Sequence, residues 1–167
     1  MAQPLTLITK FPSTKDIKPD VYSLNVISPA YSSPMGELNS ILQYFYHYFN
    51  FEKAGKAEQA KLLESIAIAE MMHFKQLGKL ILALGSRPVF CQNPPTTFNF
   101  YSTKYVTYSN DLKCMIEDDI RAESHAISQY TKMIKLLVNP QIKEVISLLL
   151  ADEELHLAKL REILPAL

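Results

Sequence analysis

Glu37-Leu38-Asn39-Ser40-Ile41-Leu42-Gln43-Tyr44 returns further along the chain as Glu123-Ser124-His125-Ala126-Ile127-Ser128-Gln129-Tyr130, matching at Glu, Ile, Gln and Tyr. Each copy is followed by a Glu-x-x-His. The first is Glu70-Met71-Met72-His73, the second Glu153-Glu154-Leu155-His156, and a leucine stands four residues on in both, at Leu77 and Leu160. The chain thus reads as two halves, each offering one Glu and then a Glu-x-x-His. Residues three apart share a helix face, so Glu70 and His73 point the same way, as do Glu153 and His156.

Around these motifs apolar residues recur at helical spacing. Ser33-Pro34 followed by Leu38, Ile41, Leu42 and Phe45 predicts a helix over about 34–54. After Gly55, the run containing Leu63, Ile66, Leu77, Leu80 and Leu84 predicts a second over 56–84, stopped by Gly85. Met71 and Met72 read as core filling. A third helix opens at Ser109-Asn110-Asp111 and reaches about 137; a fourth follows Asn139-Pro140 and ends near Leu164-Pro165. No proline falls within 35–87 or 96–139.

The expectation is an all-α four-helix bundle over 34–167, built of two antiparallel hairpins. A long crossover at about 86–109 joins them, carrying Phe90, Phe98, Phe100, Tyr101, Tyr105 and Tyr108. Residues 1–33, with four prolines, read as an extended N-terminal arm. In a hairpin, residues equidistant from the turn face each other. The midpoint between Glu37 and Glu70/His73 falls next to Gly55, and that between Glu123 and Glu153/His156 falls on Asn139-Pro140. The helix breakers sit where a convergence of the motifs needs its turns.

Composition narrows the function. Lys plus Arg and Asp plus Glu each number 17, so no net charge draws the chain to nucleic acid or anionic lipid. The apolar run Val145–Ala151 is far short of the roughly 18 to 20 residues of a bilayer span. With no basic-then-apolar leader, the expected location is the cytoplasm. Cys91 and Cys114 form no Cys-x-x-Cys.

Four glutamates inside an apolar bundle would cost many kcal/mol unless neutralised. Two divalent cations balance them, and four Glu with two His form a donor set suited to iron or manganese. With 11 Glu and 4 His in 167 residues, chance supplies about a quarter of one Glu-x-x-His. Two of them, each preceded by a matched Glu-x6-Tyr at the right height, exceed that.

On these residues, the segment 34–164 resembles the ferritin-like di-metal carboxylate superfamily of bacterioferritins, rubrerythrins and manganese catalases. The resemblance implies a pair of iron or manganese ions per chain, with Glu37 and Glu123 as terminal ligands, Glu70 and Glu153 as bridges, and His73 and His156 binding one ion each. It also implies that Asp152 accepts a hydrogen bond from a ligand histidine. Ala69 stands at the matching place in the first motif, so the partner of His156 must come from elsewhere.

The implied activity is reduction or disproportionation of hydrogen peroxide or dioxygen in oxidative-stress defence; the alternative is an iron-binding, ferroxidase protein for storage or delivery. Rubrerythrins carry a glutamate where Ile120 stands and a four-cysteine rubredoxin module, so a peroxidase of that type would draw electrons from another protein here. The bundle ends at Leu167 without a short fifth helix, which argues against a 24-subunit store.

Tyr44 and Tyr130, seven residues beyond Glu37 and Glu123, lie near the ligand face, where a phenol can hydrogen-bond a carboxylate or quench an oxidising equivalent. His47 and His125 lie off the stripe and read as surface or interface residues, and Asp119 as a solvated acid. The aromatics of the arm and crossover suggest a homodimer. Because every candidate ligand lies at or beyond residue 37, removal of the arm is expected to leave both metals bound.

Overall fold

The computed structural model describes residues 2–91 and 99–167; Phe98 lies outside them. Among the described residues five α-helices follow one another: α1 Val21–Ser32, α2 Glu37–Lys53, α3 Ala57–Ala83, α4 Leu112–Leu136 and α5 Pro140–Ile163. The last four are the ferritin-like four-helix bundle, with α2 packed along α3 and α4 along α5. Short 3-10 turns occupy Thr103–Tyr105 and Leu164–Ala166.

Local chemistry sets the helix ends. The Asp111 carboxylate accepts from the Cys114 N–H to cap α4, and the Asn139 side chain accepts from the N–H groups of Gln141 and Ile142 to cap α5, with Pro140 in its first turn. After α2, Gly55 adopts φ 72°, while the Lys56 N–H bonds the Phe51 carbonyl and the Gly55 N–H that of Glu52. That paired closure places a left-handed residue just past the helix, where glycine avoids a Cβ penalty.

Two expectations change. The arm is not extended throughout, because Val21–Ser32 is helical. Asp20 caps it by accepting from the N–H groups of Tyr22 and Ser23, and Pro29 lies inside it, one turn before its end. The first bundle helix also starts three residues late, since Ser33 closes α1 and Gly36 caps α2. A Cβ on Gly36 would stand 2.7 Å from the Ala30 carbonyl oxygen, so the chain can turn back on α1 only with no side chain there.

The core is divided. One apolar cluster gathers Leu24, Ile27, Tyr31, Leu77, Leu80, Ile81, Val145 and Leu149; the other gathers Phe51, Leu63, Ile66, Met115, Ile116 and Leu160. The Glu-x-x-His motifs lie between these clusters along α3 and α5. The crossover is stitched to α2: the Tyr101 hydroxyl donates to Asn39 Oδ1 at 2.8 Å, Thr107 Oγ1 to Gln43 Oε1 at 3.0 Å, and the Tyr46 hydroxyl to the Ser109 carbonyl at 3.1 Å. Met71 departs from its expected place in the core and is 40% exposed, turned outward while Glu70 faces in.

Candidate metal centre

Glu37, Glu70, His73, Glu123, Glu153 and His156 are all buried and meet in the polar layer between the two clusters. Each helix of the bundle contributes. His73 Nδ1 lies 3.2 Å from Glu70 Oε2, 3.2 Å from Glu153 Oε1 and 4.0 Å from Glu37 Oε2. His156 Nδ1 lies 3.1 Å from Glu70 Oε1, 3.6 Å from Glu153 Oε2 and 3.7 Å from Glu123 Oε1. The side chains sort into two overlapping groups, Glu37, Glu70, His73 and Glu153, and Glu70, Glu123, Glu153 and His156; within each, the donor atoms lie within 4.8 Å of one another. Glu70 and Glu153 belong to both.

The outer bonds orient the rings. His73 Nε2 is 3.0 Å from Asp152 Oδ2, and His156 Nε2 is 2.8 Å from the Leu5 carbonyl oxygen. A carbonyl only accepts, so His156 Nε2 must carry a proton, and Nδ1 is the nitrogen turned toward the carboxylates. Asp152 accepts in turn from Thr6 Oγ1 at 2.5 Å and from the Leu7 N–H at 2.6 Å. Burial works against its charge, but the bonds from His73, Thr6 and Leu7 outweigh it and hold the carboxyl below its usual range.

The two phenols cross between hairpins: the Tyr44 hydroxyl on α2 donates to Glu123 Oε1 on α4, and the Tyr130 hydroxyl on α4 donates to Glu37 Oε1 on α2. Burial first, and then the charges of Glu123 for Tyr44 and of Glu37 for Tyr130, push both phenols well above their ordinary range, so they remain donors.

In the metal-free protein, protons balance the cluster. Burial and then the charge of Glu70 raise Glu37 well above the carboxylate range; burial and then Glu153 do the same to Glu123. Burial also opposes ionisation of Glu70, but the bond from Glu37 and the charge of His73 prevail and hold it well below. For Glu153, burial and the charge of Glu70 are outweighed by the neighbouring Glu123 carboxyl and the imidazoles of His156 and His73, and it too is lowered. Both histidines, though burial works to lower them, are raised well above the usual value by the surrounding carboxylates.

The residues fit a metal pair. Glu70 Oε1 and His156 Nδ1, buried and 3.1 Å apart, make no hydrogen bond of good geometry with any described residue, and neither does Glu153 Oε1, 3.2 Å from His73 Nδ1. Donor atoms held that close without a hydrogen bond need either an extra proton or a cation between them. Neighbouring ligands about 2.1 Å from one octahedral ion are separated by about that much.

Beside the cluster, His47 and Asp119 contradict the expectation of surface positions. Both are wholly buried: His47 Nδ1 lies 2.9 Å from each Asp119 oxygen, and Gln43 Nε2 donates to Asp119 Oδ1 at 3.0 Å. Burial raises the Asp119 carboxyl despite those bonds. The crossover, through Thr107 on Gln43, covers a flank of α2 that helical periodicity alone leaves open. The partners Leu5, Thr6 and Leu7 were also missed; the only trace of them in the sequence is the unmatched Ala69, which left His156 in want of an acceptor.

The sequence model of the ferritin-like domain matches residues 35–167, and the chain belongs to that family. No curated protein matches it in sequence. Solved structures share the fold. KatB, a manganese catalase from Anabaena PCC7120, superposes with TM-score 0.77 at 24% identity, covering 95% of this chain and 78% of its own. The Mycobacterium tuberculosis bacterioferritin BfrA gives 0.74 at 20% identity, with 89% and 87% covered. The Desulfovibrio desulfuricans bacterioferritin, which has a diiron site, gives 0.71 at 22%, with 92% and 83% covered.

Proposed function

We propose that the protein holds two iron or two manganese ions, with Glu37, Glu70, His73, Glu123, Glu153 and His156 as ligands, and reduces or disproportionates hydrogen peroxide or dioxygen. The observation that carries this reading is the convergence of four buried carboxylates and two buried imidazoles in two groups that share Glu70 and Glu153, with donor atoms within 4.8 Å of one another in each. The bound pair supplies two-electron redox chemistry toward a small oxidant. Glu70 and Glu153, within reach of both histidines, are the bridging ligands; Tyr44 and Tyr130 fix the orientation of Glu123 and Glu37 by donating to one oxygen of each. Asp152 holds the proton of His73 on Nε2. A cleft lined by Gly36, Glu37, Ser40, Ala126, Gln129 and Tyr130 has a volume of about 10 Å³, near the limit for one water, so any large substrate is excluded there. Electrons for net reduction come from an external donor protein; disproportionation of peroxide needs none.

The alternative, iron oxidation for storage or delivery, draws support from the bacterioferritin likenesses. Protein purified without added metal is expected to contain two ions per chain and to evolve oxygen from peroxide or consume it with a reductant. Tens of irons per chain would favour storage, and fewer than one ion of any kind would overturn the metal reading. The same reading takes the protein as a cytoplasmic homodimer. Val21, Tyr22, Leu136 and Val138 stay exposed around a groove between α1 and the end of α4, and that apolar patch is the candidate interface. No helix among the described residues is long and apolar enough to cross a membrane.

A further inference from the structure

We propose that residues 2–8 are a strap whose docking and metal loading are coupled, because this segment supplies the outer bonds of both histidines. The proposal rests on the dinuclear reading above.

The strap lies along α3 and reaches α5. The Ala2 N–H donates to Glu64 Oε2 at 3.0 Å and the Leu5 N–H to the Ser65 carbonyl at 2.9 Å. Those two bonds place the Leu5 carbonyl on His156, while Thr6 and Leu7 close on the two oxygens of Asp152. The Ile8 N–H returns to Thr6 Oγ1 at 2.9 Å, and the Ile8 side chain is buried in the apolar cluster beyond. Four consecutive residues therefore serve the site and the core in turn.

The chemistry of each contact differs. For His156 the strap is the sole acceptor of the Nε2 proton that the structure shows. Water in its place would accept or donate equally well and would not select the tautomer. For His73 the strap acts one step back, by aiming the Asp152 carboxylate at Nε2. A ligating imidazole is oriented and made more basic by such outer bonds, whose loss lowers metal affinity by about 10–100-fold. The arm, expected from the sequence to be dispensable to the site, is instead part of its frame. Coupling is reciprocal: if the docked strap raises metal affinity, bound metal must tighten strap docking by the same factor.

The test uses Co(II), whose visible bands report binding at iron or manganese ligand sets. Full-length protein is titrated beside a chain lacking residues 2–8 and beside Thr6→Val, which removes one hydroxyl and should leave the fold whole. Amide exchange at Leu5 and Leu7 is followed in the full-length chain with and without Co(II). The expected result is two Co(II) per full-length chain, with affinity at one or both sites lowered about 10–100-fold by the deletion and to a smaller extent by Thr6→Val. Exchange at both amides should slow on metal binding. Failure of full-length protein to bind two ions would overturn the dinuclear reading itself. Two ions bound with unchanged affinity in Thr6→Val and the trimmed chain, or exchange at Leu5 and Leu7 indifferent to Co(II), would overturn the strap alone.

Discussion

At the residue scale, the proposed ligands were legible because the helix turns spacing into direction. A Glu and a His three apart share a face whatever surrounds them, and the turn positions set their heights. His47 and Asp119 were not legible, because their burial depends on a crossover whose path no periodicity encodes; nothing in His47 itself distinguishes it from the exposed His125. The difference between the two kinds of glutamate leads to a prediction. Glu70 and Glu153 each lie near both imidazoles, whereas Glu37 and Glu123 lie near one each. Glu70→Ala or Glu153→Ala should therefore lower occupancy of both metal positions together, and Glu37→Ala mainly of one. Metal analysis of the purified variants decides it: full occupancy in both bridging variants would refute the assignment.

At the scale of elements, the four long helices followed from caps and breakers that act locally. Asp111, Asn139-Pro140, Gly55 and Gly85 stop or start a helix through backbone bonds within a few residues. The α1 helix was hidden because prolines counted over 33 residues, one of them inside the helix itself, outweighed one good cap at Asp20. Gly36 shows an element-scale constraint that sequence spacing cannot reveal, since its neighbour is a carbonyl on another helix. Gly36→Ala should destabilise the protein by about 1–3 kcal/mol, the usual penalty of forcing an added methyl into a filled space. Urea unfolding measures it, and a loss below experimental error would mean that the α1–α2 corner yields easily.

At the scale of the molecule, the divided core makes stability a function of pH and metal together. In the metal-free protein Glu37, Glu123, His73 and His156 have folded-state pKa values raised above their unfolded ones. Groups of that kind stabilise the fold below their unfolded pKa, and the benefit fades as pH rises through the folded value. Glu70 and Glu153, both lowered, act in the opposite sense and lose their contribution only as pH falls into the carboxylate range. The metal-free melting temperature should therefore decline from mildly acidic toward alkaline pH, while the metal-loaded form holds level over the same interval. Loading two divalent ions competes with the protons on those raised groups, so uptake in weak buffer should release protons. A release near zero would mean that the cluster is already ionised and that the neutralisation argument is wrong. The exposed patch at the α1–α4 groove gives a separate expectation: full-length protein should scatter light as a dimer at micromolar concentration, and Val138→Asp should shift it to monomer without loss of metal.

The crossed phenols have a meaning of another kind. Because Tyr44 serves the glutamate of the second hairpin and Tyr130 that of the first, neither hairpin is self-sufficient, and each is related to the other as one member of a two-fold pair. The same symmetry relates the two hairpins in sequence, where Glu-x-x-x-Ile-x-Gln-Tyr and Glu-x-x-His each occur twice. It stops at the outer bonds: Asp152 stands against Ala69, and the Leu5 carbonyl serves His156 where Asp152 serves His73, so the two halves differ in what holds each imidazole.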